Sequence, residues 1–189
     1  GSTVTMTSGT VDCVLTTSQA GDASYSAAPD EVRTVVAALK AASVTPDALS
    51  KAFGAADPTF TGTLNGFLAG DNVTATYART VGEAVGSYTI SATLNAAAGV
   101  LANYAITNNT AAFTITQASQ TISFGALPGA TYGDVPFTVS ATGGASGNAV
   151  TFAAAPAGVC TAGGTTITIV GAGSCTVTAS QAGSADYAA

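Results

Sequence analysis

The sequence predicts an all-β chain built from sandwich modules of antiparallel strands, and three observations carry that expectation. Aliphatic or aromatic residues alternate with Thr and Ser over many short runs, which is the period of a half-buried strand. Turn residues punctuate those runs at fairly even intervals, as in β-sandwiches. Only 7% of residues are charged, against about a quarter in ordinary domains, while β-branched residues are abundant. Disorder needs high charge and low hydrophobicity, and this chain has the reverse.

Taken in order, the runs are Thr3–Met6, Phe60–Leu64, Val73–Tyr77, Tyr88–Leu94, Phe113–Thr116, Thr121–Phe124, Phe137–Thr142, Thr165–Val170 and Cys175–Ala179. Turn clusters separate them at Gly21-Asp22, Gly54 to Pro58, Gly70-Asp71-Asn72, Asn108-Asn109, Pro128-Gly129, Gly143-Gly144 and Gly171 to Gly173. Each run sets hydroxyls on one face and apolar groups on the other, so Thr can face water where charges usually do. One stretch is ambiguous. Pro29 to Ala42 opens with Pro and acids and is rich in Ala, which are helix-start signals. The alternation Val32, Thr34, Val36 suits a strand equally well.

The chain also repeats itself. Cys13-VLTTSQAGDAS-Tyr25-SA and Cys175-TVTASQAGSAD-Tyr187-AA share nine of fifteen aligned residues: Cys13, Thr16, Ser18, Gln19, Ala20, Gly21, Ala23, Tyr25 and Ala27. Thr3–Met6 answers Thr166–Ile169 in the same way, with one residue inserted before the cysteine. The offset of 162 residues exceeds the roughly 20–50 residues of a solenoid unit, so the period belongs to a multi-domain repeat. It predicts that the sequence starts and stops inside a repeat, as a window on a longer chain. Cys160 and Cys175 flank the Thr165–Val170 run and read as a disulfide in an oxidising compartment. Two inert buried thiols are the alternative. Shifted back by the same offset, the partner of Cys13 would fall at position −2, just before the sequence begins.

Charge narrows the partners. Four Lys and Arg against ten Asp and Glu give a net charge of −6. Arg33, Lys40, Lys51 and Arg79 stand singly, so neither nucleic acid nor an anionic membrane surface is expected as a partner. No apolar run reaches the length of a membrane-spanning helix, so no membrane insertion is expected.

From about Ala38 to Gln117 the sequence resembles the MBG family of bacterial surface-protein modules. The residues that carry the resemblance are Lys51-Ala52-Phe53-Gly54-Ala55-Ala56-Asp57-Pro58, Gly66, Gly70-Asp71, Arg79-Thr80-Val81-Gly82-Glu83-Ala84-Val85-Gly86-Ser87-Tyr88-Thr89-Ile90 and Asn103-Tyr104-Ala105-Ile106. Phe53 stands where that family usually has Tyr. From about Ala118 onward, and again over the first 37 residues, the chain resembles the bacterial Ig-like repeat that alternates with such modules. The marks are Gln120 to Phe124, Tyr132 to Phe137, Cys160-Thr161 and the Cys-to-Tyr signature. The resemblance implies tandem Ig-like β-sandwich modules in three parts. Residues 1–37 would be the C-terminal part of one Ig-like module, residues 38–117 an MBG-like module, and residues 118–189 an Ig-like module lacking its last strand. It makes Glu31–Ala37 the closing strand of one module and Leu39–Val44 the opening strand of the next, which decides the ambiguous stretch for a strand. It also implies an extracellular or cell-surface location. Open sheet edges are sticky, so each terminal fragment is expected to be completed by a neighbouring copy of the repeat, in the same chain or another subunit.

Little chemistry is foreshadowed. The absence of His removes His-based triads and most transition-metal sites, and there is no Trp. Asp30, Glu31, Asp57, Asp71 and Glu83 sit at a junction, at turns or at strand ends, where solvated or turn-capping roles suit them. No enzyme is expected and no cofactor. Asp57, Asp71 and Asp134 are weak calcium candidates, oxygen ligands in turns without a dense Asp-rich loop. A Lys–Asn or Lys–Asp isopeptide at Lys40 or Lys51 would suit a stalk, but no motif marks it. Tyr25 and Tyr187 read as buried rings at sandwich corners, their hydroxyls bonded to backbone. The expected function is a structural repeat of a large secreted surface protein, an adhesin stalk or self-assembling filament. The alternative is an adhesive module binding carbohydrate or protein.

Overall fold

In the computed structural model, which describes residues 3–189, the chain is all-β, with 45% of residues in strands and 3% in helix. The strands are β1 Cys13–Gln19, β2 Ala28–Val35, β3 Lys40–Pro46, β4 Leu49–Ala52, β5 Gly62–Asn65, β6 Thr74–Arg79, β7 Gly86–Asn95 and β8 Tyr104–Asn108. They continue with β9 Ala111–Thr116, β10 Ser123–Phe124, β11 Phe137–Thr138, β12 Ala141–Thr142, β13 Val150–Ala155, β14 Cys160–Gly163, β15 Thr166–Ile169 and β16 Thr176–Gln181. Two single-turn 3-10 helices, Ala69–Asp71 and Leu101–Asn103, are the helical content among the described residues.

Among the described residues six sheets result: β1-β2, β5-β3-β8, β4-β9-β7-β6, β10-β12, β11-β15-β14 and β13-β16. Most ladders join antiparallel strands, as alternation led one to expect, but β3 and β8 run parallel, with Lys40 opposite Tyr104 and Val44 opposite Asn108. A parallel pair needs a long crossover, and here β4 to β7 supply it. The ambiguous stretch is strand, not helix. β2 lies against β1 with Cys13 opposite Val35 and Thr16 opposite Val32. Pro29 is tolerated because β2 is an edge strand, where a missing N–H faces water.

Two expected strands differ from the structure. Thr3–Met6 forms no strand and is exposed, because alternation without a partner gives the backbone no ladder. Phe137–Thr142 is broken into β11 and β12, which belong to different sheets. Val139, between them, is buried and sends its N–H to Thr165 O.

The chain divides into two compact units. One takes the described residues up to Leu49 with Thr59–Thr80 and Tyr88–Phe113. Its buried side chains include Val44, Ile90, Tyr104 and Phe113. Phe60 meets Phe113 edge-on at 5.5 Å between ring centroids, and the Arg79 guanidinium lies 5.0 Å from the same ring. Gly62 is required here, since a Cβ would stand 2.5 Å from the Tyr77 ring.

The second unit comprises Ser50–Pro58, Val81–Ser87 and Thr114–Ala189. Val139, Cys160 and Ile167 form its buried centre, with Phe124, Phe137, Phe152, Cys175 and Val177 packed around them. β16 shows how alternation serves this arrangement: Val177 and Ala179 turn inward while Thr176, Thr178 and Ser180 are exposed.

Candidate functional site

The two copies of the repeated segment fold into the same turn. In the first, Asp22 N donates to Tyr25 O at 2.8 Å, and the Asp22 carboxylate accepts from the N–H groups of Ser24 and Tyr25 at 2.8 and 2.9 Å. In the second, Ser184 N donates to Tyr187 O at 2.8 Å, and Ser184 Oγ accepts from Asp186 and Tyr187 at 3.3 and 3.2 Å. Asp and Ser replace one another because either side chain can accept from the backbone two and three residues on. The glycine before them is invariant between copies for a steric reason. A Cβ on Gly21 would lie 2.3 Å from Tyr25 O, and on Gly183 2.5 Å from Tyr187 O.

What surrounds the copies differs. Gln181 is 7% exposed; its amide accepts from Gly144 N at 2.6 Å and donates to Asn148 O at 2.6 Å. Gln19, its counterpart, is exposed. Cys175 is bonded to Cys160, with Cα atoms 5.8 Å apart, so the disulfide reading holds over the two-thiol alternative, while Cys13 has no disulfide partner among the described residues. The Tyr187 ring meets Phe53 edge-on at 5.7 Å, and Ala118 brackets its backbone by accepting from Ala188 N and donating to Asp186 O, each at 2.9 Å. Tyr25 is 76% exposed. The expectation of a buried ring is therefore wrong for Tyr25, and Tyr187 is only half-buried.

The calcium candidates are not brought together. Asp57 pairs with Lys51, Asp71 accepts from the Tyr104 hydroxyl, and Asp134 accepts from Thr131 N at 2.7 Å. Among the described residues no group of three or more His, Cys, Asp or Glu could hold a metal ion.

Sequence reasoning missed two polar clusters. Lys51 on β4 has only 5% of its side chain exposed, and its ammonium reaches Asp57 at 2.7 Å and Glu83 at 2.5 Å. Lys and Glu within the resembling motifs were the only signal of it. Hydrogen bonds to Asp57 and then Glu83 raise the Lys51 pKa above its ordinary 10.5. The amine is held charged, the opposite of what attack on a carboxyl requires, so the clasp does not favour an isopeptide at Lys51. Lys40, at the head of β3, is exposed. In the other unit, the Tyr104 hydroxyl donates to Asp71 and accepts from Leu68 N at 2.9 Å. Asp71 foremost, then burial, raises the Tyr104 pKa above 10.0. Beside it Asn103 Oδ1 accepts from Gly9 N at 2.9 Å and Ser8 Oγ at 3.3 Å, tying the segment before β1 to the second 3-10 turn.

Both raised pKa values have the same sign for stability. Each contribution is complete below the unfolded value and is lost as pH climbs through the folded one. Melting temperatures between neutrality and strong alkali are expected to fall above about pH 10. Lys51→Met and Tyr104→Phe should each flatten that alkaline decline, and variants that track the wild type would contradict the assignment.

An all-β, disulfide-bearing chain with local ion pairs and repeated tight turns is the class of protein that this geometry defines. Residues 42–114 match the family model of the MBG domain (YGX type). The match covers the segment from β3 to β9 and supports the MBG part of the resemblance. No curated protein and no solved structure matches the chain.

Proposed function

We propose that the chain is a structural repeat of a large secreted bacterial surface protein, a stalk or extracellular filament of sandwich modules arrayed head to tail, without catalysis. The supporting observation is that a segment repeated at an offset of 162 residues folds into one turn twice, on either side of the MBG-matching span. The matching span resembles the MBG modules found in bacterial surface proteins, and the disulfide suits an oxidising exterior. In this reading the modules are residues 1–37, 38–117 and 118–189. The partners are neighbouring copies of the repeat, and neither nucleic acid nor insertion into a membrane has a part. The four residues from Val36 to Leu39, which belong to no strand, join β2 to β3 with too little chain to act as a flexible tether.

Protease shaving of intact producing cells, with antibodies against this chain, tests the reading. Signal lost from intact cells is the expected result. A chain protected until lysis would sink it. Saturable binding of one glycan by the isolated chain would instead favour the adhesive-module alternative.

A further inference from the structure

Ser50–Pro58 and Val81–Ser87, two stretches of the MBG-matching span, belong to the same compact unit as Thr114–Ala189. Phe53 is the side chain that makes the join. Its ring stands edge-on to Tyr187 at 5.7 Å, and its N–H donates to Thr116 O, at the end of β9, at 2.8 Å. From Thr116 the chain passes straight into Gln117 and Ala118, which are fastened to the same corner. Gln117 Nε2 donates to Ser184 O at 2.7 Å, and Ala118 N donates to Asp186 O at 2.9 Å. Phe53 thus touches both the strand that leads out of the span and the corner that receives it.

Phe53 is half-buried and lies within a turn in which Ala55 N donates to Ala52 O at 3.1 Å. Gly54, Ala55 and Ala56 follow it, and none has a side chain that could hold the turn in place. What crosses the turn is Lys51. Its ammonium binds Asp57 at 2.7 Å on the far side and Glu83 at 2.5 Å in the connection between β6 and β7. Thr116 Oγ1 also donates to Lys51 O at 3.3 Å, so β4 and β9 are tied at this level. Closing the turn between Lys51 and Asp57 removes chain freedom that docking of the Phe53 ring would otherwise have to overcome. With 5% of its side chain exposed, Lys51 holds its partners where salt screens them little.

We propose that Lys51 is a positioning residue for this joint: by clasping Asp57 and Glu83 it holds the Phe53 ring against Tyr187, and so keeps the connection at Gln117-Ala118 closed. Lysine and corner are coupled through Phe53, a contiguous chain of contacts. The arrangement gives the Lys51 to Pro58 motif and Glu83 a common task. Nothing in the joint requires the chain to be a stalk repeat, so either reading can fail without the other.

Hydrogen exchange on the full 189-residue chain tests this at the Ala118 amide. The Val139 amide, bonded to Thr165 O, gauges overall folding. Phe53→Ala should speed exchange at Ala118 by about 2–12-fold, the worth of an edge-to-face ring pair, and leave Val139 unchanged. Phe53→Tyr keeps the ring and should leave both amides at wild-type rates. Lys51→Met should speed Ala118 in the same range, and so should Asp57→Asn, which preserves side-chain shape. In chains that already carry Phe53→Ala, neither change should add to the effect. That non-additivity separates positioning from general support, because a lysine that merely stabilised the fold would act with or without the ring. An Ala118 amide indifferent to Phe53→Ala or to Lys51→Met overturns the proposal. So does a Lys51→Met effect that persists in full without the ring, or one as large at Val139 as at Ala118.

Discussion

Phe113→Ala is expected to lower the unfolding free energy by about 3–5 kcal/mol, the range for deleting a fully buried aromatic ring. Phe113 is 0% exposed and is among the largest wholly buried side chains. The loss is more than apolar area. Phe60 loses the ring it meets at 72°, and Arg79 loses the face over which its guanidinium lies. Edge-to-face pairs carry about 0.5–1.5 kcal/mol beyond their area. Phe113→Leu keeps most of the volume and should cost about 1–2 kcal/mol less than the alanine change. Urea unfolding followed by tyrosine fluorescence reads both, there being six Tyr and no Trp. Equal effects of alanine and leucine would mean that the site is not packed as described.

The second large effect concerns the disulfide. Replacing Cys160 and Cys175 together by Ala is expected to remove about 3 kcal/mol, the chain-entropy value for a loop of this length, and their separation is 15 residues. Alanine is the informative choice. Cys160 is completely buried, and serine would add the penalty of an unpaired hydroxyl. Cys13→Ser should change stability by less than about 0.5 kcal/mol, since that thiol is free and half-buried. Under force the same bond hides the residues between its ends. Reduction should lengthen the extended chain by roughly 50 Å at about 3.4 Å per residue. No added extension on reduction would mean that the bond does not form in the protein.

Much of the strand content was legible in the residues. β6, β7, β9 and β16 follow directly from Thr alternating with apolar side chains, because the period of two is local and each residue reports its own face. The turn at Tyr187 was legible too, through its repetition at Tyr25. β4, β13 and β14 were harder to see. They are short or Ala-rich, and a methyl side chain barely distinguishes an inward from an outward position. Thr3–Met6 failed in the other direction, a good strand pattern with no ladder.

By itself, then, the sequence determined the all-β class, the two matching turns and the pairing of Cys160 with Cys175, since each depends on residues close in the chain. Tertiary structure decided the rest. The parallel run of β3 beside β8, the clasp of Lys51 between Asp57 and Glu83, and the opposite fates of Tyr25 and Tyr187 all turn on what lies across space. Alternation states which side of a strand faces inward. It does not say which strand lies alongside, or in which direction, because backbone hydrogen bonds are alike at every residue except proline.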